Sequence, residues 1–100
     1  MAEKRMWRVA AHARAGTTRD GLALLDVKRG KVVTSNAVGA RIWTLVDEGC
    51  DLTAILSVIS AETGTSKDVI RQDITGFLRD LEQCGLIEPQ EQAPEGGKGT

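Results

Sequence analysis

Few residues in this 100-residue chain could carry chemistry of their own. His12 is its only histidine. A general base needs a proton-bearing partner and an orienting group, and no nearby serine, cysteine or carboxylate pattern supplies them; a surface loop accounts for it. Cys50 and Cys84 stand alone, with no second pair to complete a zinc site or a disulfide framework. They read as small packing residues near helix ends in a reducing, cytoplasmic setting. Residues 96–99, Gly-Gly-Lys-Gly, lack the spacing, the preceding strand and the following helix of a phosphate loop. Asp47, Glu48, Asp80 and Glu82 fit solvated helix faces. No enzyme constellation, metal site or cofactor site is expected, and the chain reads as non-catalytic.

With chemistry set aside, composition bounds what is left. Hydrophobic residues make up 41% of the chain and charged residues 27%, which suits one soluble domain with a modest core. Trp7, Trp43 and Phe77 are the whole aromatic inventory, so the core is aliphatic and little is available to stack bases. A net charge of −1 argues against duplex DNA, whose binding is dominated by clustered Lys and Arg. Lys4, Arg5 and Arg8 precede no apolar signal-peptide core, and no run approaches a membrane span.

The pattern along the chain predicts strands followed by helices. Residues 6–11 form a first strand, and residues 12–20, rich in Ala, Gly and Thr, a connecting loop. The apolar run 21–26 is a buried strand, and residues 31–34 are its hairpin partner across Val27-Lys28-Arg29-Gly30. Asn36 caps a first helix carrying Val38, Ile42, Leu45 and Val46 on one stripe, with Trp43 just beside it; Gly49 ends it. Asp51 starts a second, with Leu52, Ile55, Leu56 and Ile59, which Gly64 ends. Thr65 or Ser66 caps the third, whose Ile70, Ile74, Phe77, Leu78 and Leu81 recur at helical spacing. Gly85 can take the left-handed turn that lets Leu86 and Ile87 fold back. Residues 1–88 thus form the domain, and residues 89–100, without an apolar anchor, a disordered tail. The fold class is α+β, a winged helix-turn-helix-like arrangement of a three-stranded antiparallel sheet followed by three helices.

Two binding modes suit such a fold. A DNA-associated regulator would need a basic third helix. This one carries Lys67, Arg71 and Arg79 against Asp68, Asp73, Asp80 and Glu82. A peptide-binding module would use the third strand as an open sheet edge that accepts an extended peptide.

Three segments carry a family likeness: residues 24–33, Leu-Leu-Asp-Val-Lys-Arg-Gly-Lys-Val-Val; residues 36–43, Asn-Ala-Val-Gly-Ala-Arg-Ile-Trp; and residues 73–87, with Asp73, Phe77, Leu78, Leu81, Gly85, Leu86 and Ile87. In this order they resemble the PqqD family of peptide recognition elements, over about residues 7–88. The resemblance implies a non-catalytic peptide chaperone. It would bind the leader segment of a ribosomally made precursor peptide by strand addition. It would then present that leader to a modifying enzyme such as a radical-SAM enzyme, a leader protease or a cyclase, with no role for nucleic acid or membrane. Matched by position, the strand contacts would be Lys31, Val32, Val33 and Thr34. The helix wall would be Lys67, Ile70, Arg71, Asp73 and Ile74, with Phe77 and Trp43 in the core. The chain departs from the family where Val33 and Ser35 replace a frequent aromatic and leucine. A further departure is Ala37, which follows the capping Asn where proline is common.

Overall fold

The computed structural model describes residues 5–90. Five strands and three helices follow in the order β1 (Met6–Val9), β2 (Ala13–Thr18), β3 (Gly21–Asp26), β4 (Lys31–Ser35), α1 (Ala37–Asp47), α2 (Leu52–Thr63), α3 (Lys67–Gln83) and β5 (Ile87–Gln90). The three-stranded antiparallel sheet has the order β2-β3-β4. β1 and β5 make a separate antiparallel ribbon, with Val9 opposite Ile87 and Trp7 opposite Pro89.

Each helix starts where its capping residue stands. The Asn36 carboxamide oxygen accepts from the Gly39 amide at 2.9 Å, the Asp51 carboxylate from Ala54 at 2.9 Å, and the Ser66 hydroxyl from Val69 at 3.3 Å. Each bond satisfies one amide that a helix start leaves without an internal partner. At the far end of α3, Gly85 lies at φ 76° and the Leu86 amide donates to the Leu81 carbonyl at 3.0 Å. That closure turns the chain back so that Leu86 and Ile87 are both buried.

The core is aliphatic. Leu24 from the sheet shares one cluster with Ile55, Leu56 and Ile59 of α2, Leu78 and Leu81 of α3, and Leu86 and Ile87, all almost wholly buried. Trp43 is 6% exposed and joins this cluster. Burying each large side chain contributes roughly 1.5–3 kcal/mol, and because one cluster draws on every layer, sheet and helices stand or fall together. Trp7 locks the ribbon to α3: its indole N–H donates to Glu82, and Arg5 lies over the ring at 5.3 Å with its guanidinium 3.6 Å from the same carboxylate.

Three expectations need correction. The segment expected as a loop holds β2, which pairs with β3 from Ala13–Asp26 to Thr18–Gly21. Only Ala13 of this strand is buried, so no alternation marks it; its backbone bonds to β3 make it a strand. The strand predicted at residues 6–11 exists as β1 but belongs to the ribbon, leaving β2 as the third member of the sheet. The chain also stays paired beyond residue 88: Pro89 and Gln90 lie opposite Trp7 and Met6. The remainder of the expected tail, residues 91–100, lies outside the described residues.

Candidate functional site

β4 is an edge. It pairs with β3 on one side, and no other described strand pairs with it on the other. Its register decides which side chains turn toward the helices. Ser35, Val33 and Lys31 stand opposite Leu22, Leu24 and Asp26, all three buried, and so share the inner face. Val32 and Thr34 stand opposite Leu25 and Ala23 on the outer face, where Val32 is 64% exposed and Leu25 38%. Of the four strand residues expected to make contacts, Lys31 and Val33 therefore aim at the helix side. Val32 and Thr34 contribute main chain.

Among the described residues, two hollows lie along the trough beside this edge. The upper one, about 370 Å³, is lined by Ser35 and Asn36 at the end of β4, Val38, Gly39 and Ile42 of α1, Ile59 and Thr63 of α2, Thr65, and Ile70, Asp73, Ile74 and Phe77 of α3. The lower one, about 190 Å³, is lined by Asp26, Lys31, Val32, Val33, Cys84 and Leu86. The start of β4 thus shares a hollow with the residues that follow α3, and the end of β4 shares one with the first half of α3. Together they make a trough whose floor is apolar at both ends.

Among the expected helix-wall residues, Ile70, Asp73 and Ile74 line the upper hollow. Ile70 is half-buried, Ile74 only 3% exposed and Asp73 exposed. Lys67 and Arg71 line neither hollow. Phe77, expected in the core, is half-buried and faces the upper hollow while packing on the core below. Its place at helical spacing from Ile70 and Ile74 is the signal that reveals it. Cys84, Val38 and Thr63 come to the trough through packing between distant elements, for which sequence spacing carries no signal.

Gly39 holds the upper hollow open. A β-carbon there would lie 1.9 Å from the Ser35 hydroxyl oxygen and 3.2 Å from the Phe77 ring. Only a glycine lets α1 approach β4 and α3 so closely. Gly39→Ala is expected to displace Ser35, narrow the hollow and destabilise the fold by about 1–3 kcal/mol, in the range of overpacked sites. Chemical denaturation, with amide spectra of Ser35 and Phe77, checks it.

Asp26 anchors the lower end. It is 2% exposed, and its Oδ1 accepts from the amides of Lys28 at 3.0 Å and Arg29 at 3.1 Å, bracing the β3–β4 turn. The His12 Nε2 and the Arg29 Nε each lie 3.9 Å from the carboxylate. The expected surface histidine is therefore part of this cluster, half-buried between strand and turn. Burial alone would raise the Asp26 pKa. The amides of Arg29 and Lys28 outweigh that, joined by the charges of His12 and Arg29, and hold the carboxyl below its ordinary value. A depressed carboxyl adds stability that is present above its unfolded pKa and is lost as pH falls through the folded one. On acidification the wild type should accordingly lose its advantage over Asp26→Asn, the two unfolding curves converging below the usual carboxylate range. Urea midpoints taken across that range check it.

No group of three or more His, Cys, Asp or Glu side chains capable of holding a metal ion occurs among the described residues. Both cysteines are free and half-buried. Among the described residues, no helix is long and apolar enough to cross a membrane.

The architecture is that of a winged-helix-like α+β domain whose β4 edge, unpaired among the described residues, shares hollows with α3 and the turn after it. Residues 21–87 match the family described as coenzyme PQQ synthesis protein D (PqqD), and the chain belongs to the PqqD family. It is similar to a solved structure described as TbiB1 in complex with the TbiA(beta) leader peptide. The two are 28% identical with a TM-score of 0.77, over 85% of this chain and 99% of that one. A structure described as lasso peptide synthetase B1 complexed with the leader peptide superposes with a TM-score of 0.76 over 83% of this chain and 98% of its own. At 20% identity the second likeness shows the shared fold. Among curated proteins, none matches this chain.

Proposed function

We propose that this protein binds the leader segment of a ribosomally synthesised precursor peptide and presents it to a modifying enzyme. The observation that carries the proposal is the free β4 edge running beside α3, with an apolar hollow at each end. An extended peptide added to β4 would satisfy the unpaired amides and carbonyls of the edge. Every second side chain of that peptide would then face the trough between Val33 and Phe77. A protein of the same fold, TbiB1, is described in complex with a leader peptide, which supports the same mode here. The contacts on the strand would be the side chains of Lys31 and Val33, with Val32 and Thr34 through main chain. Those on α3 would be Ile70, Asp73 and Ile74, with Lys67 and Arg71 at the margin. The role is non-catalytic and cytoplasmic, and the recipient enzyme would be a radical-SAM enzyme, a leader protease or a cyclase. The DNA-binding alternative gains no support, because α3 carries Asp68, Asp73, Asp80 and Glu82 against three basic residues.

Titration with a cognate leader peptide is expected to shift the amides of residues 31–35 and 70–77; shifts confined to the outer sheet face or the β1–β5 ribbon would overturn the reading. Val33→Asp places a carboxylate in the middle of the trough. It is expected to weaken binding at least tenfold while costing about 1–2 kcal/mol of stability, since Val33 is only partly buried. Calorimetric titration beside thermal unfolding separates the two effects.

A further inference from the structure

Charge is unevenly divided along the chain. Residues 5–35, which build β1 and the sheet, carry seven Lys or Arg against two Asp, whereas residues 36–90 carry four against nine acidic residues. The described side chains that line the trough's two hollows differ in sign as well, Lys67 and Arg71 on α3 lining neither. At the lower end Lys31 lines the hollow and makes no ion pair with any described residue. Arg29 stands behind it, with its guanidinium 3.4 Å from the Cys84 carbonyl. The one acid among the described residues there, Asp26, is already engaged by two amides and flanked by Arg29 and His12. At the upper end Asp73 is the sole ionisable group among the described residues lining the hollow, and it too pairs with no described residue. The nearby Arg41 and Glu62 are spent on each other at 3.0 Å. Asp80, two turns further along the same face of α3, is exposed and lines neither hollow.

From this arrangement we infer that the trough selects an extended peptide of fixed charge polarity, acidic over Lys31 and basic over Asp73. The inference rests on the strand-addition reading above and adds to it the class of sequence bound. β4 rises about 13 Å from Lys31 to Ser35, four steps of roughly 3.3 Å. The two charged peptide residues therefore stand four positions apart, with an apolar residue midway between them, above Val33. A Lys or Arg suits the upper hollow in particular. Its aliphatic stem lies on Ile70, Ile74 and Phe77 while its charged head reaches the exposed carboxylate. Opposed charges at the two ends also reject the same peptide laid in the reverse direction, where each end would meet its own sign.

The test uses a synthetic nonapeptide with the core Glu-Thr-Val-Thr-Lys and a nitroxide label next to either charged residue, added to the full chain labelled with nitrogen-15. The label beside Glu is expected to broaden the amides of residues 29–32, and the label beside Lys those of residues 35 and 70–74. Lys31→Gln with Asp73→Asn, both exposed positions, should abolish that preference and weaken binding about two- to fivefold per charge, an effect that fades with added salt. The opposite broadening pattern would overturn the inference. Equal broadening at both ends, with residues 31–35 still shifted, would overturn it too but leave strand addition standing. A peptide that shifts none of residues 31–35 would remove both.

Discussion

Leu24→Ala is expected to lower stability by about 2–5 kcal/mol, the range for truncating a fully buried leucine. Leu24 is wholly inaccessible and, with Leu22, places β3 in the core cluster shared by the helices. Its neighbour across the ladder is Val33, so the cavity left behind would lie directly under the middle of the trough. In a domain of this size each kcal/mol moves the midpoint by about 4–8 °C, so a thermal shift of about eight degrees or more is expected. A loss below 1 kcal/mol would mean that the sheet does not pack on the helices as described. Peptide binding should weaken as well, because Val33 loses the support that holds its side chain toward α3.

The second large effect is expected at Gly21. Its φ is 148°, a region open to glycine and rarely to other residues, and a β-carbon there would lie 2.3 Å from the Ser35 carbonyl oxygen and 2.4 Å from the Asn36 carbonyl carbon. Those are backbone atoms, which cannot swing aside as a side chain would. Gly21→Ala should thus force the start of β3 away from the junction between β4 and α1, at a cost of about 3 kcal/mol or more. The junction also sets the upper end of the trough, where Ser35 and Asn36 stand. Denaturant unfolding gives the stability. Loss of the amide shifts that a bound peptide induces at Ser35 would show that the trough has opened. By contrast, Gly16→Ala in the neighbouring strand meets nothing within 4 Å and serves as the control.

The helices were legible in the sequence because their signals are local. Asn36, Asp51 and Ser66 cap them as their positions in the chain foretell, and the apolar spacing of α3 is the spacing that its buried face uses. The hairpin β3–β4 was legible for the same reason, with Gly30 at φ 71° in its turn. β2 was not legible, since five of its six residues are exposed and its identity lies in backbone bonds to β3 rather than in a side-chain pattern. β5 was hidden by Pro89, which reads as a chain breaker. It is accommodated at the end of a two-stranded ribbon, where an N–H donor is not required on the open side.

The trough divides along the same line. Residue type and spacing alone put an edge at Lys31 to Thr34, put an apolar stripe on α3 and excluded a basic DNA-reading helix. The family likeness joined the two elements as an expected peptide site. Tertiary structure decided the rest: that Lys31, Val33 and Ser35 turn inward while Val32 and Thr34 turn out, that Phe77 lines the upper hollow while packing on the core, and that Lys31 and Asp73 line separate hollows. The physical reason is range. Caps, turns and helical periodicity act over a few residues and are written into the local sequence. The facing of a strand and the meeting of β4 with α3, by contrast, depend on a register and a core assembled from residues tens of positions apart.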